Sequence, residues 1–129
     1  MLNILWICFH LYFFNIKINS VGYYTTSVDK GGKFRFNLHA GNSQVILSSQ
    51  GYKSAAGRDN GIESVRVNSQ DPARFEALDA SNGKFYFVLK AANAQVIGQS
   101  QMYASKAGRD NGIESVMKNG PSQEVRPAE

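Results

Sequence analysis

A chain of 129 residues with 43% apolar and 19% charged residues is one domain's worth and apolar enough to bury a core, which excludes intrinsic disorder. The net charge of +4 permits a polyanionic partner without demanding one. Cys8 is the only cysteine, so an internal disulfide, a thiolate metal site and a paired-thiol redox centre are all excluded.

Residues 1–20 differ from everything after them. MLNILWICFHLYFF is almost wholly apolar or aromatic, and NIKINS follows. The stretch is shorter than the roughly 18 apolar residues a membrane-spanning helix needs, and His10 and Asn15 interrupt it. As a secretory signal it has an apolar centre, but no Lys or Arg precedes it and Ile18-Asn19-Ser20 is a poor cleavage site. The reading adopted is translated upstream sequence outside the fold, with the folded chain starting at Val21. That places a cytoplasmic domain at 21–129. A signal peptide, which would export the domain, and a membrane anchor are the alternatives.

Tyr23 to Val28 is aromatic and β-branched, which predicts a strand, and Asp29 to Gly32 a turn. From Lys33 to His39 the alternation is strict: Phe34, Phe36 and Leu38 face inward, and Lys33, Arg35, Asn37 and His39 outward. Ala40 to Ser43 turns the chain, and Gln44 to Gln50 returns it with Val45, Ile46 and Leu47 as its apolar centre. Ser54 is placed to cap a helix over Ala55 to Val67, with Ile62 and Val65 on one face and Arg58 and Gly61 near the same meridian. Gly costs a helix interior about 1 kcal/mol relative to Ala, so the pattern implies that Gly61 faces the sheet and lets the helix sit close. A loop containing Pro72 leads to a strand over Arg74 to Leu78 and a turn at Ser81-Asn82-Gly83.

The same order then recurs. Phe85, Phe87 and Leu89 face inward and Lys84, Tyr86, Val88 and Lys90 outward. Gln95 to Gln101 forms the return arm, and Ser105 caps a second helix that repeats the buried pair as Ile113 and Val116. A short strand is expected near Val125, before Pro127. The two units, about 22–72 and 73–126, align without a gap at an offset of about 51 residues and match at roughly two-thirds of positions from Gly32 to Ser69. One stretch, AGRDNGIESV, is spelled identically at Ala56–Val65 and Ala107–Val116. One helix cannot cover three strands, and one unit is too small to be stable alone. The expected fold is therefore α+β: tandem β3-α-β units joined in one antiparallel-rich sheet, with two helices packed on one face.

The paired GKF-x-F-x-L, the Y-x-S ahead of each helix and the G-I-E-S-V within it resemble the YegP family, small bacterial proteins of uncharacterised function. Gly22-Tyr23-Tyr24 stands where that family has its opening Gly-aromatic-aromatic strand. The resemblance covers Gly22 to about Val125. It implies that the strands after the helices are exchanged between units, and it implies no catalytic residues.

The decapeptide is the leading candidate site. Outside it, polar positions have diverged: Arg35 against Tyr86, His39 against Lys90, Lys53 against Ala104, Arg66 against Met117. Within it, Arg58, Asp59, Asn60, Glu63 and Ser64 equal Arg109, Asp110, Asn111, Glu114 and Ser115. One reading is a duplicated binding surface for a protein or small anion, with Arg58 and Arg109 as carboxylate grips. The other is intramolecular: Asp59 favours the positive helix N-terminus and Arg58 pairs with a carboxylate across the pseudo-twofold. A second candidate surface is the outer sheet face, where Lys33, Arg35, Lys84, Tyr86 and Lys90 set an aromatic among cations, as single-stranded nucleic acid requires. That face has no second stacking aromatic in the first unit.

Three further motifs are set aside. Asp59-Asn60-Gly61 lacks the spaced acidic ligands of a calcium loop. GYKSAAGR lacks the Gly-Lys-Ser/Thr ending of a phosphate loop. Ser–His–Asp catalysis would rest on His39, which the second unit replaces with Lys90. The chain is therefore read as a non-catalytic binding module, a monomer, with no metal or cofactor expected.

Overall fold

The computed structural model describes residues 22–127; the expectations for residues 1–20 and for a start at Val21 lie outside the described residues. Strand β1 spans Tyr23–Val28, β2 Phe34–His39 and β3 Val45–Ser48, followed by helix α1 at Ala55–Asn68. After a 3-10 turn at Pro72–Arg74 come β4 at Phe75–Asp79, β5 at Phe85–Lys90, β6 at Val96–Gln99, α2 at Lys106–Asn119 and β7 at Val125–Pro127. The seven strands form one sheet in the order β4-β5-β6-β3-β2-β1-β7, antiparallel except for the outer pair β1–β7. The strand after α1 thus joins the second half of the sheet, and the strand after α2 joins the first. Among the described residues, no helix is long and apolar enough to cross a membrane.

Local chemistry accounts for the elements. Ser54 and Ser105 cap the helices, each accepting the amide of Gly57 or Gly108 at 3.0 Å. The inward strand residues alternate as expected: Phe36, Leu38, Phe87 and Leu89 are buried. A register shift opposite Leu38 and His39 inserts Ile46 as an extra residue between Leu47 and Val45. That bulge turns Ile46 and Leu47 toward the core together, while Val45 stays exposed. The same shift in β5–β6 buries Ile97.

The helix glycines do what the packing argument required. A Cβ on Gly61 would lie 2.7 Å from the hydroxyl-bearing ring carbon of Tyr52 and 3.0 Å from Phe36. On Gly112 it would meet Tyr103 and Phe87 in the same way. Two matched aromatic chains run beneath the helices: Tyr24–Phe36–Tyr52 with centroid distances of 5.9 and 6.3 Å, and Phe75–Phe87–Tyr103 with 5.8 and 6.3 Å.

The halves meet at β3–β6, paired at Ser48 and Gln99. Each helix reaches across this seam: α1 packs on β2 and on β5 and β6, and α2 on β5 and on β2 and β3. At the seam the repeats have become complementary. Leu47 in the first unit corresponds to Gly98 in the second, and a Cβ on Gly98 would stand 2.7 Å from Cγ of Leu47. Two expectations need correction. Ile113 is only partly buried, unlike Ile62. Val88, read as a solvated outward residue, is buried outside the main core, paired with Glu76 and Gln99 on neighbouring strands.

Gly98→Leu alone should overpack the seam and destabilise the fold by about 1–3 kcal/mol. Leu47→Gly alone should open a cavity there. The double exchange should recover most of both losses in urea unfolding, because one large and one small residue would again face each other.

Candidate functional site

The structure separates the repeated polar residues into two groups. Arg58 and Arg109 are mostly buried, with side chains 17% and 12% exposed. Each guanidinium lies over the phenyl ring of its own unit's GKF motif, 5.7 Å from Phe34 and 5.9 Å from Phe85. Arg58 donates to its neighbour Asp59 at 3.0 and 3.1 Å. Arg109 donates to Asp110 at 3.2 Å and stands 3.9 Å from Asp79. The two arginines therefore shield half-buried phenylalanines, and their carboxylate partners, Asp59 for Arg58 and Asp110 and Asp79 for Arg109, belong to their own units rather than lying across the pseudo-twofold. Asp59 and Asp110 lie beyond the first helical turn and do not serve the helix N-terminus.

The serines are also accounted for. Asn68 donates to the carbonyl and hydroxyl oxygens of Ser64 at 2.8 and 3.1 Å, and Asn119 does the same to Ser115. Asn119 further accepts the Gly22 amide at 2.7 Å. Close by, the Tyr24 hydroxyl donates to the Gly120 carbonyl at 2.6 Å, and burial raises its pKa well above the usual phenol range. Burial raises that of Tyr52 as well.

What is left is Asn60, Glu63, Asn111 and Glu114, all exposed. Glu63 pairs with Arg66 at 3.1 Å. Among the described residues, no side chain pairs with Asn111 or Glu114. Both line an open groove of about 590 Å³ between α2 and the β2–β3 turn, with Ser115, Lys118, Asn119 and, from the turn, Ala40 to Asn42. Ser43, which closes that turn, holds a left-handed backbone at φ 71°, as does its counterpart Ala94 at φ 70°. Among the described residues no buried side-chain nitrogen or oxygen lacks a partner, and no cluster of His, Cys, Asp and Glu is placed to hold a metal ion.

The outer sheet face is less cationic than the sequence suggested. Arg35 donates to Asp29 at 2.7 Å, and Lys90 pairs with Glu76 at 2.9 Å. Lys33 and Lys84 have no carboxylate partner among the described residues, and Tyr86 is half-buried. The face does hold a feature that sequence reasoning missed. Tyr23 and His39 stack at 4.6 Å with an interplanar angle of 6°, and Arg126 covers Tyr23 at 3.8 Å. Both ring nitrogens of His39 are engaged, near Thr25 Oγ1 at 2.9 Å and the Ser43 carbonyl at 3.0 Å. The three residues come from three strands, so only the strand order could have revealed the stack.

Two copies of the family described as Domain of unknown function (DUF1508) match residues 29–76 and 80–126. The chain is similar to the UPF0339 protein ACIAD0721 of Acinetobacter baylyi, 55% identical over 105 residues, covering 81% of this chain and 95% of that one. It is 51% identical over 105 residues to the UPF0339 protein YegP of Escherichia coli K12, covering 81% and 96%. The solution structure of yegP from E. coli, described as a protein of unknown function, superposes with a TM-score of 0.79 at 50% identity, covering 83% of this chain and 92% of that one. That of a UPF0339 protein from Shewanella oneidensis gives 0.78 at 51% identity, covering 82% and 90%.

Arg109→Ala should cost about 1 kcal/mol in urea unfolding, through lost cation–π and stem packing on Phe85, and Arg58→Ala should do the same at Phe34. Asp29 titrates below the usual carboxylate range, because Arg35 and the amides of Lys33 and Gly31 donate to it. Its stabilising contribution is thus complete above the ordinary carboxyl value and lost as pH falls through the depressed one. Carboxyl NMR should show that low midpoint, and Arg35→Ala should move it back up.

Proposed function

The chain belongs to the UPF0339/YegP family of paired DUF1508 domains, and from that premise we propose that it is a non-catalytic module that binds a protein partner in the groove between α2 and the β2–β3 turn. One observation carries the reading: Asn111 and Glu114 are identical to their counterparts Asn60 and Glu63 although surrounding polar positions have diverged, and no internal contact accounts for them. The other repeated polar residues have intramolecular work. Asparagine amides and a carboxylate suit the backbone and a cationic side chain of a peptide. A small anion fits less well, since Arg58 and Arg109, its expected grips, are turned to Phe34 and Phe85. Under the repeat, Asn60 and Glu63 on α1 are the counterparts of this pair, with Glu63 already bonded to Arg66. A monomer suffices, because one chain supplies both halves of the sheet.

A photo-crosslinking side chain at Asn111, in the full chain and its native extract, should capture a discrete protein. The adduct should vanish with Glu114→Arg, which as an exposed change should leave stability within about 0.5 kcal/mol. The same side chain at Thr25, on the opposite sheet face, should capture none. Failure to form any adduct from Asn111 or Asn60 would remove the reading.

The outer sheet face carries a second reading, single-stranded nucleic acid, through Tyr86 with Lys33 and Lys84, which have no carboxylate partner among the described residues; Tyr23 is already covered by His39 and Arg126. Titration with labelled RNA and DNA at two salt concentrations tests it. Binding that Tyr86→Ala weakens supports this face, and no binding at low salt discards it.

A further inference from the structure

The two edges of the sheet are equivalent under the repeat, yet only one is covered. On the first, β7 lies parallel to β1 with Val125 beside Tyr24 and Arg126 beside Thr25, and the Tyr24 amide donates to the Glu124 carbonyl at 2.9 Å. Val125 faces the helix layer, where it lines a cleft of about 310 Å³ with Asp59, Ile62 and Arg66. Under this cover Tyr24 is 0% and Ile62 2% exposed.

At the other edge, β4 is the outermost strand, with nothing paired to its outer side among the described residues. The repeat places Phe75 where Tyr24 stands, Glu76 for Thr25, Ala77 for Thr26, Ile113 for Ile62 and Met117 for Arg66. Phe75, Ile113 and Met117 are only partly buried. The Phe75 amide is used by the Pro72 carbonyl. Ala77 and Asp79 share its parity on the strand, so their amides point away from β5, as that of Tyr24 points away from β2. The uncovered edge is thus an apolar slot beside unpaired backbone groups, and its inner wall is more apolar than the one β7 covers, because Met117 replaces Arg66.

We propose that the outer edge of β4 takes an extended peptide from a partner protein as a parallel strand, seated as β7 is seated on β1. Its apolar side chain would lie beside Phe75 under Ile113 and Met117, in the place of Val125. The next side chain, on the outer face in the place of Arg126, would be basic, because Glu76 stands where β1 has Thr25. Glu76 pairs with Lys90 at 2.9 Å yet its side chain stays 48% exposed, so a second cation can share its carboxylate. The strand ladder supplies affinity, and the alternating side chains supply the choice of sequence. This surface is separate from the α2 groove and goes beyond the binding reading given above.

The probe is a fluorescent peptide of the chain's own Ser122–Glu129 sequence, added to the full chain, whose β7 already occupies the β1 edge. Saturable binding is expected, with slowed amide exchange at Ala77 and Asp79. Glu76→Arg should weaken it by about tenfold or more by reversing the facing charge. Ala77→Pro should abolish it, since proline on an edge strand removes an outward donor without touching the ladder to β5. Should Ala77→Pro fail to fold, the exposed Glu76→Arg still gives the answer. Glu114→Arg should leave binding unchanged, which separates this surface from the groove. Three results would overturn the proposal: no binding at millimolar peptide, protection at Thr26 instead of Ala77, or protection of Ala77 that rises with protein concentration alone, which would mean that a second copy fills the edge.

Discussion

The whole architecture depends on the seam between β3 and β6. A three-stranded sheet with one helix leaves apolar surface in water, and the chain resolves this by repeating the unit and sharing one sheet. The seam works because Leu47 meets Gly98 rather than a second leucine, so the backbones can pair and each helix can rest on strands of both halves. Gly61 and Gly112 complete the arrangement by letting the helices down onto the aromatic chains. The groove between α2 and the β2–β3 turn exists only because a helix of one unit lies against a turn of the other.

That dependence explains most of the identity between the two decapeptides. Each arginine covers the phenylalanine of its own GKF motif, each serine is held by the asparagine four residues on, and each glycine admits a tyrosine and a phenylalanine beneath the helix. These are constraints of packing, and they act on both copies alike because both copies cover equivalent strands. The exposed asparagine and glutamate are not held in this way: Glu63 pairs with Arg66, and no side chain among the described residues pairs with Asn111 or Glu114.

The duplication is also incomplete in a way that matters. After α1 the chain passes through a 3-10 turn straight into β4. After α2 the corresponding place is already filled by β1, so the chain continues outward as β7. One edge is thereby capped and the other left open. Every buried side-chain nitrogen and oxygen among the described residues is partnered, and the surface carries a polar groove, a stacked aromatic cluster and an unpaired strand.

The sequence by itself determined the strands, the helices and their caps, the inward residues and the close approach at Gly61 and Gly112. All of these rest on local periodicity, capping chemistry and the cost of glycine in a helix, and the repeat made each visible twice. It also isolated the candidate residues, by contrast with the positions that had diverged. Only the tertiary structure decided which of those residues were already engaged. The rings beneath Arg58 and Arg109, the partner of Lys90, the stacking of His39 and Arg126 on Tyr23, the burial of Val88 and the partial burial of Ile113 all follow from which elements lie beside which. Strand order is set by long-range pairing, and no local pattern along the chain records it.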